Sequence, residues 1–214
     1  MEFWLPVAAI AAIAYFCGCF NGAVIVSKYI LRDDVRKHGS GNAGLTNFYR
    51  TFGGPLTLVV ILTDVLKAVV AVLVGAWVAG SFVAAPWSGD LAVYGKFWAG
   101  LFCLLGHMFP CTFGFKGGKG ILSGGTIAIM LDWRIALVVW GGFIVLVLLT
   151  RYVSLGSVWA GGSFPFAAWF VYQNLHLAVL AACMGWLVVY MHRANIKRLL
   201  TGTENKFSLR KKKT

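Results

Sequence analysis

Acidic residues are scarce in this chain. Its 214 residues carry seven Asp and Glu against nineteen Lys and Arg, and Asp33-Asp34 is the one acidic pair in its loops. Clustered carboxylates that would hold catalytic metal ions, as CDP-alcohol phosphotransferases require, are therefore excluded. The five cysteines, Cys17, Cys19, Cys103, Cys111 and Cys183, form no CxxC pair and lie mostly in apolar runs. They read as small membrane-embedded hydrophobes, with no disulfide framework and no metal site. A basic secretory leader is missing too. The start Met1-Glu2-Phe3-Trp4 leads us to expect the first apolar run to be kept as a span. Internal repeats are absent, and Lys211-Lys212-Lys213 is the only low-complexity stretch.

What the chain has is hydrophobicity. It is 59% hydrophobic, with a mean hydropathy of +0.79, where soluble domains are about 45–50% apolar. The excess lies in long runs that fit membrane spans of about 20 residues. The expected fold is all-α, a polytopic integral membrane helix bundle forming one domain over residues 1–214, with a basic cytoplasmic tail at 192–214. Spans are predicted at Phe3–Ser27, Pro55–Gly80, Leu91–Phe109, Val153–Tyr172 and Leu175–Met191.

The run Gly120–Thr150 is broken by Asp132-Trp133-Arg134. Its first part covers about 12 residues, or about 18 Å of helix, too short for a hydrocarbon core of about 30 Å. The run is either two short crossing helices, giving seven transmembrane helices, or a re-entrant pair, giving five spans. Both counts are odd, so the two ends of the chain face opposite sides.

Charge orients the bundle. One set of loops holds sixteen of the nineteen Lys and Arg; the other holds Lys96 and Arg134, and Lys67 lies within a span. By the positive-inside rule the N-terminus is outside and the C-terminus cytoplasmic. Because the basic excess follows the loops, it signals orientation and an anion-attracting surface instead of nucleic-acid binding.

Three polar segments fall on the expected cytoplasmic face. Gly39-Ser40-Gly41-Asn42-Ala43-Gly44-Leu45-Thr46-Asn47-Phe48-Tyr49-Arg50 has three glycines that permit positive φ and uncover amides, as an anion-binding nest would. Ser40, Thr46 and Asn47 add donors, and Arg50 a forked cation suited to phosphate. The bland alternative is a turn and a helix cap.

The second segment runs Gly106-His107-Met108-Phe109-Pro110, then Phe113-Gly114-Phe115-Lys116-Gly117-Gly118-Lys119-Gly120. Its GGKG core resembles a phosphate cradle of exposed amides and two ammonium groups at a helix N-terminus. It is no Walker A loop, because Phe113 stands where that pattern needs Gly. The alternative is a positive stop signal with turn glycines.

The third segment is His192-Arg193-Ala194-Asn195-Ile196-Lys197-Arg198-Leu199-Leu200-Thr201-Gly202-Thr203-Glu204. His192 and Asn195, three apart, share a helix face; Glu204 could cap or pair with a loop cation. A juxtamembrane basic helix on anionic headgroups is the alternative. Asp64 and Lys67 share one face of the second span, as a structural ion pair or as site lining. His38 reads as solvated and His176 as interfacial.

In succession, GSGNAGLTNFYR, GHMFPCTFGFKGGKG and HRANIKRLLTGTE resemble the PlsY family of bacterial acyl-phosphate:glycerol-3-phosphate acyltransferases, and DVLKA at Asp64–Ala68 also resembles a family pattern. The chain departs at Ala43, where the family usually has Pro, at Ala68 for Gly, and at Ile121-Leu122-Ser123 for Val-Ala-Thr. The resemblance implies transfer of an acyl chain from acyl-phosphate to the 1-hydroxyl of glycerol 3-phosphate, giving lysophosphatidate and phosphate.

It also implies roles. Ser40, Arg50, Lys119, His192 and Asn195 would be catalytic. Ser40, Gly41, Asn42, Thr46, Asn47, Arg50, His192 and Asn195 would bind glycerol 3-phosphate. His107, Lys116, Gly117, Gly118, Lys119 and Gly120 would bind acyl-phosphate. Asp64, Lys67 and Glu204 would give structural support. Acyl-phosphate is an activated mixed anhydride, so direct attack by the hydroxyl suffices, with His192, His107 or a substrate phosphate oxygen as base. No metal, cofactor or CoA is expected, and the enzyme is expected to be a monomer among lipids of the bacterial cytoplasmic membrane.

Two other classes compete. An anion transporter would also use cations and broken helices, but should place its site near the midplane, where this chain has one charge pair. A lipid-binding scaffold would explain Lys211–Lys213 but not the Gly-rich segments.

Overall fold

A computed structural model describes residues 4–82 and 90–207. The expectations placed on Lys211–Lys213 and the rest of the tail beyond residue 207 lie outside the described residues. The chain, expected as one membrane domain, divides into two compact helical units, Met1–Leu131 and Asp132–Thr214. The boundary falls at the polar break that interrupts the apolar run after Leu131.

The first unit holds α1 (Trp4–Cys19), the short α2 (Gly22–Ile25), α3 (Leu45–Thr51), α4 (Leu56–Phe82), α5 (Leu91–Met108) and α6 (Ile121–Leu131). A π-helical turn, Val26–Ile30, continues α2. α4 has 27 residues, about 40 Å of helix, ample for a bilayer core. α1 and α4 both pack on α5. Small residues set the crossings: a side chain on Gly18 would run into the Cys103 carbonyl, one on Gly106 into that of Tyr15, and one on Gly95 into that of Gly75. Close approach at such points is how apolar helices pack where no water drives them together.

The first apolar run is not one straight helix. Asn21 breaks it, accepting from Val24 N on its side-chain oxygen as an N-cap and donating Nδ2 to the Ala43 carbonyl at 3.1 Å. Asn21 is fully buried, so both halves of its amide must find partners. Ala23, Val24, Val26, Val35, Ala43, Phe48 and Val60 then form a closed apolar cluster beneath the first polar segment.

The second unit holds α7 (Trp133–Thr150), α8 (Val153–Tyr172), α9 (Leu175–Met191) and α10 (Arg193–Leu200). Asp132 caps α7 by accepting from Arg134 N, and Asn174 caps α9 by accepting from Leu177 N. α8 packs between α7 and α9, and Gly161 meets Gly185 at the α8–α9 crossing. Leu148, Leu149, Phe166 and Phe170 are each at least three-quarters exposed, which suits a hydrocarbon surrounding and not water.

Among the described residues, four stretches are long and apolar enough to cross a membrane: Trp4–Ile30, Leu56–Phe82, Leu91–Phe113 and Trp133–Thr150. The bent pair α9–α10 makes a fifth. α6 is short, at 11 residues, as its sequence led us to expect.

Candidate active site

In the first unit the two Gly-rich segments meet. Ala43 N donates to the Gly117 carbonyl at 3.4 Å. Arg36, counted in the sequence only as one more loop cation, donates from Nη1 to the Phe113 carbonyl at 2.7 Å and to that of Lys116 at 3.3 Å. Its other nitrogens grip the Asp34 carboxylate, Nη2 to Oδ2 at 2.7 Å. The guanidinium's hydrogen bonds hold the Asp34 carboxyl below its usual range, and Asp34 in turn raises Arg36. This paired Arg bridges the two segments, a role no motif marked.

The first segment departs from the expected open nest. Gly39 and Gly41 do take positive φ, 56° and 70°. The amides beside them are already used: Ser40 N donates to Asn47 Oδ1 at 3.0 Å, and Gly41 N to the His38 carbonyl. Asn47 is also corrected. Expected as a substrate donor, it is buried, and its Nδ2 donates to the carbonyls of Val35, His38 and Asn42. An amide so engaged organises the loop. His38 is not merely solvated, since its Nε2 lies 2.8 Å from Asp33 Oδ2. What the loop presents outward is Ser40, Gly41 and Arg50, all exposed, with Asn42 and Thr46 half-buried.

The GGKG cradle is corrected in the same way. Gly117 N donates to the Met108 carbonyl and Gly118 N to that of His107, both at 3.1 Å, so these amides are not exposed. The glycines serve close approach instead. A side chain at Gly117 would strike the His107 carbonyl, and one at Gly118 would strike His107 Nε2. Lys116 is exposed, Lys119 half-buried, and Gly120, with φ 78°, turns the chain into α6. Charge for an anion is thus supplied by side chains more than by a backbone cradle.

Beneath this joint lies a buried polar cluster. Lys67 Nζ is 2.7 Å from Asp64 Oδ1, with both side chains 3% exposed; the contact is an ion pair whose angle is not that of a hydrogen bond. The same ammonium donates to the Phe20 carbonyl at 3.2 Å and meets His107 Nδ1 at 2.7 Å. Ser123, which replaces the family's Thr, keeps the hydroxyl and donates to the Asp64 carbonyl at 3.1 Å. The sequence paired Asp64 with Lys67; it put His107 in the donor loop, whereas the structure buries it with that pair.

In the second unit, His192 ends α9 and Asn195 lies one turn on; both are buried. His192 Nδ1 is 2.8 Å from the Val188 carbonyl. A carbonyl only accepts, so Nδ1 carries the proton and Nε2 is the basic nitrogen. Glu204 gathers Ser154 Oγ at 2.9 Å, Asn195 Nδ2 at 2.8 Å and Arg198 Nε at 2.7 Å. Burial alone would raise its carboxyl, but these three hydrogen bonds outweigh it and the net shift is downward. Glu204 thus ties α8, α10 and the segment after α10 together.

Known proteins match along almost the whole chain. The family model described as glycerol-3-phosphate acyltransferase covers residues 8–202. A glycerol-3-phosphate acyltransferase of Clostridioides difficile is 39% identical, over 94% of this chain and 96% of that one. One from Mesorhizobium japonicum is 40% identical over 90% and 91%, and one from Thermoanaerobacter pseudethanolicus 35% over 92% and 93%. A crystal structure of PlsY, an integral membrane glycerol 3-phosphate acyltransferase in its glycerol 3-phosphate form, superposes with TM-score 0.80 at 30% identity, covering 94% of this chain and 96% of that one. Its lysophosphatidic acid form gives 0.77. With motifs, helices and relatives in agreement, this all-helical integral membrane chain belongs to the glycerol-3-phosphate acyltransferase family, PlsY.

Proposed function

We propose that the chain moves an acyl group from acyl-phosphate to the 1-hydroxyl of glycerol 3-phosphate, releasing lysophosphatidate and phosphate. The observation that carries this reading is the joint between the two Gly-rich segments, Ala43 to Gly117 and Arg36 to Phe113. It ties the segment that carries the exposed Ser40 and Arg50 to the one that carries the exposed Lys116 and the half-buried Lys119. Both substrates carry phosphate, and forked and point cations suit them.

In this reading Ser40, Gly41, Asn42, Thr46 and Arg50 receive glycerol 3-phosphate, with Asn47 shaping their loop. Lys116 and Lys119 neutralise the acyl-phosphate and its leaving phosphate, on the turn formed by Gly117, Gly118 and Gly120. In the second unit the proposed catalytic residues are His192, with Nε2 as its basic nitrogen, and Asn195, whose amide Glu204 holds. The acyl carbon is already activated, so the hydroxyl attacks directly and no acyl-enzyme is required. His107 is not the base, because its Nδ1 accepts from Lys67 and its Nε2 holds the proton. By the positive-inside rule this chemistry would face the cytoplasm of a bacterial cell, in a bundle of seven spans, or of five with α6 and α7 as a re-entrant pair, and the protein would act as a monomer.

The test is turnover by purified protein in detergent, given acyl-phosphate and glycerol 3-phosphate, with phosphate release and lysophosphatidate followed together and acyl-CoA as control donor. Product that needs both substrates, persists in chelator and is not formed from acyl-CoA supports the reading. Formation from acyl-CoA alone would overturn the donor assignment.

A further inference from the structure

The buried cluster under the loops is more specific than the structural support expected of Asp64 and Lys67. Lys67 is on α4 and His107 on α5, forty residues apart, yet Nζ and Nδ1 are 2.7 Å from each other. An ammonium can only donate. Asp64 Oδ1, 2.7 Å from Nζ, keeps that ammonium charged by pairing with it inside a packed interior. Nδ1 of His107 is therefore the acceptor, and the single proton of the neutral ring is on Nε2.

Nε2 faces the joint of the two loops. A side chain built on Gly118 would meet both Nε2 and the Ala43 carbonyl oxygen, so the two lie on one side of Gly118. A protonated Nε2 attracts that carbonyl; a lone pair there would repel it. The His107 carbonyl meanwhile accepts from Gly118 N at 3.1 Å. The backbone of His107 thus holds the segment that leads to Lys119, and its ring packs against Gly118 in that segment.

We propose that Lys67 is a positioning residue for the donor loop: with Asp64 behind it, it fixes His107 in the tautomer that turns N–H toward Gly118 and the Ala43 carbonyl, and so sets where Lys116 and Lys119 meet the acyl donor's phosphate. This rests on the acyl-phosphate reading of that loop, but its first readout does not depend on turnover.

The experiment uses full-length protein carrying nitrogen-15 histidine, in micelles. The His107 resonances, assigned by their loss in H107Q, are expected to show a protonated Nε2 and an unprotonated Nδ1. The reverse pattern, or a rapidly exchanging mixture, overturns the proposal whether or not the enzyme turns over. K67M alone would strand a buried Asp64 charge, so the variant compared is D64N/K67M, which removes both charges together. Its ring is expected to lose the single tautomer. Its kcat/KM for acyl-phosphate should fall about ten- to a hundredfold, as for a misplaced reacting group, with the KM for glycerol 3-phosphate within about twofold. In H107Q, whose amide supplies an N–H at similar reach, adding D64N/K67M should cost much less than it does beside His107. A folded D64N/K67M enzyme with unchanged tautomer and full kcat/KM sinks the idea. An inactive wild-type enzyme with the expected tautomer would sink the acyl-phosphate reading alone.

Discussion

The guanidinium of Arg36 donates to the carbonyl of Phe113, 77 residues along the chain, at 2.7 Å. It is the side chain that ties the first Gly-rich segment to the second. Replacing it by methionine should free residues 110–119 without unfolding the helices. A charge-assisted bond of about 1.5 kcal/mol corresponds to roughly tenfold faster amide exchange in that loop. Exchange measured by mass spectrometry checks this; unchanged protection would mean the loop is held otherwise.

Asn47 makes four hydrogen bonds to its own loop. Asn47→Ala takes from Ser40 N and the Asn42 carbonyl the partner that the side chain gives them, and should destabilise the protein by about 2–4 kcal/mol. A lower Tm should accompany a raised KM for glycerol 3-phosphate. A raised KM with an unshifted Tm would instead return Asn47 to the role of a direct ligand.

At Gly118 a methyl group would collide with His107 Nε2. Gly118→Ala should therefore lose about tenfold or more in kcat/KM for acyl-phosphate, through displacement of the loop. The KM for glycerol 3-phosphate is the control, and a change there in place of the donor term would contradict the assignment.

Lys116→Ala and Lys119→Ala should each weaken acyl-phosphate use, by about ten- to a hundredfold for a lost charge on the leaving group. Steady-state kinetics with the donor varied read this directly. Full kcat/KM in both variants would leave the loop without its proposed task.

Glu204 supplies a pH dependence. Its folded carboxyl titrates below its ordinary value of 4.5. The unfolded chain therefore binds the extra proton first, and the stabilisation is complete above that value and lost as pH falls through the lower folded one. Thermal unfolding between neutral pH and acid should show this slope, and Glu204→Gln should flatten it.

Much of the helical architecture was readable from apolar length alone. The break at Asp132 was visible because a charged pair interrupts an apolar run, and it proved to be a helix cap. Asn21 was not readable, since one amide inside a long apolar run gives no signal until the fold brings Ala43 beside it. His107 was placed with its sequence neighbours, whereas its partner is on another helix. The glycines of both loops were singled out for open amides, and the structure uses them for positive φ and close approach. Their amides could not be known to be occupied, because the acceptors, Asn47 Oδ1 and the carbonyls of Met108 and His107, come from segments whose approach sequence spacing does not encode.

The Asp64–Lys67 pair bears on how the protein is made. The two charges are three residues apart on one helix, in an ionic contact that needs no other segment. α4 can thus leave the insertion machinery with its counter-ion on board, neutral as a unit, before any neighbour arrives. The third partner is on α5, synthesised later, so Lys67 gains its imidazole only when the following helix has been threaded and docked.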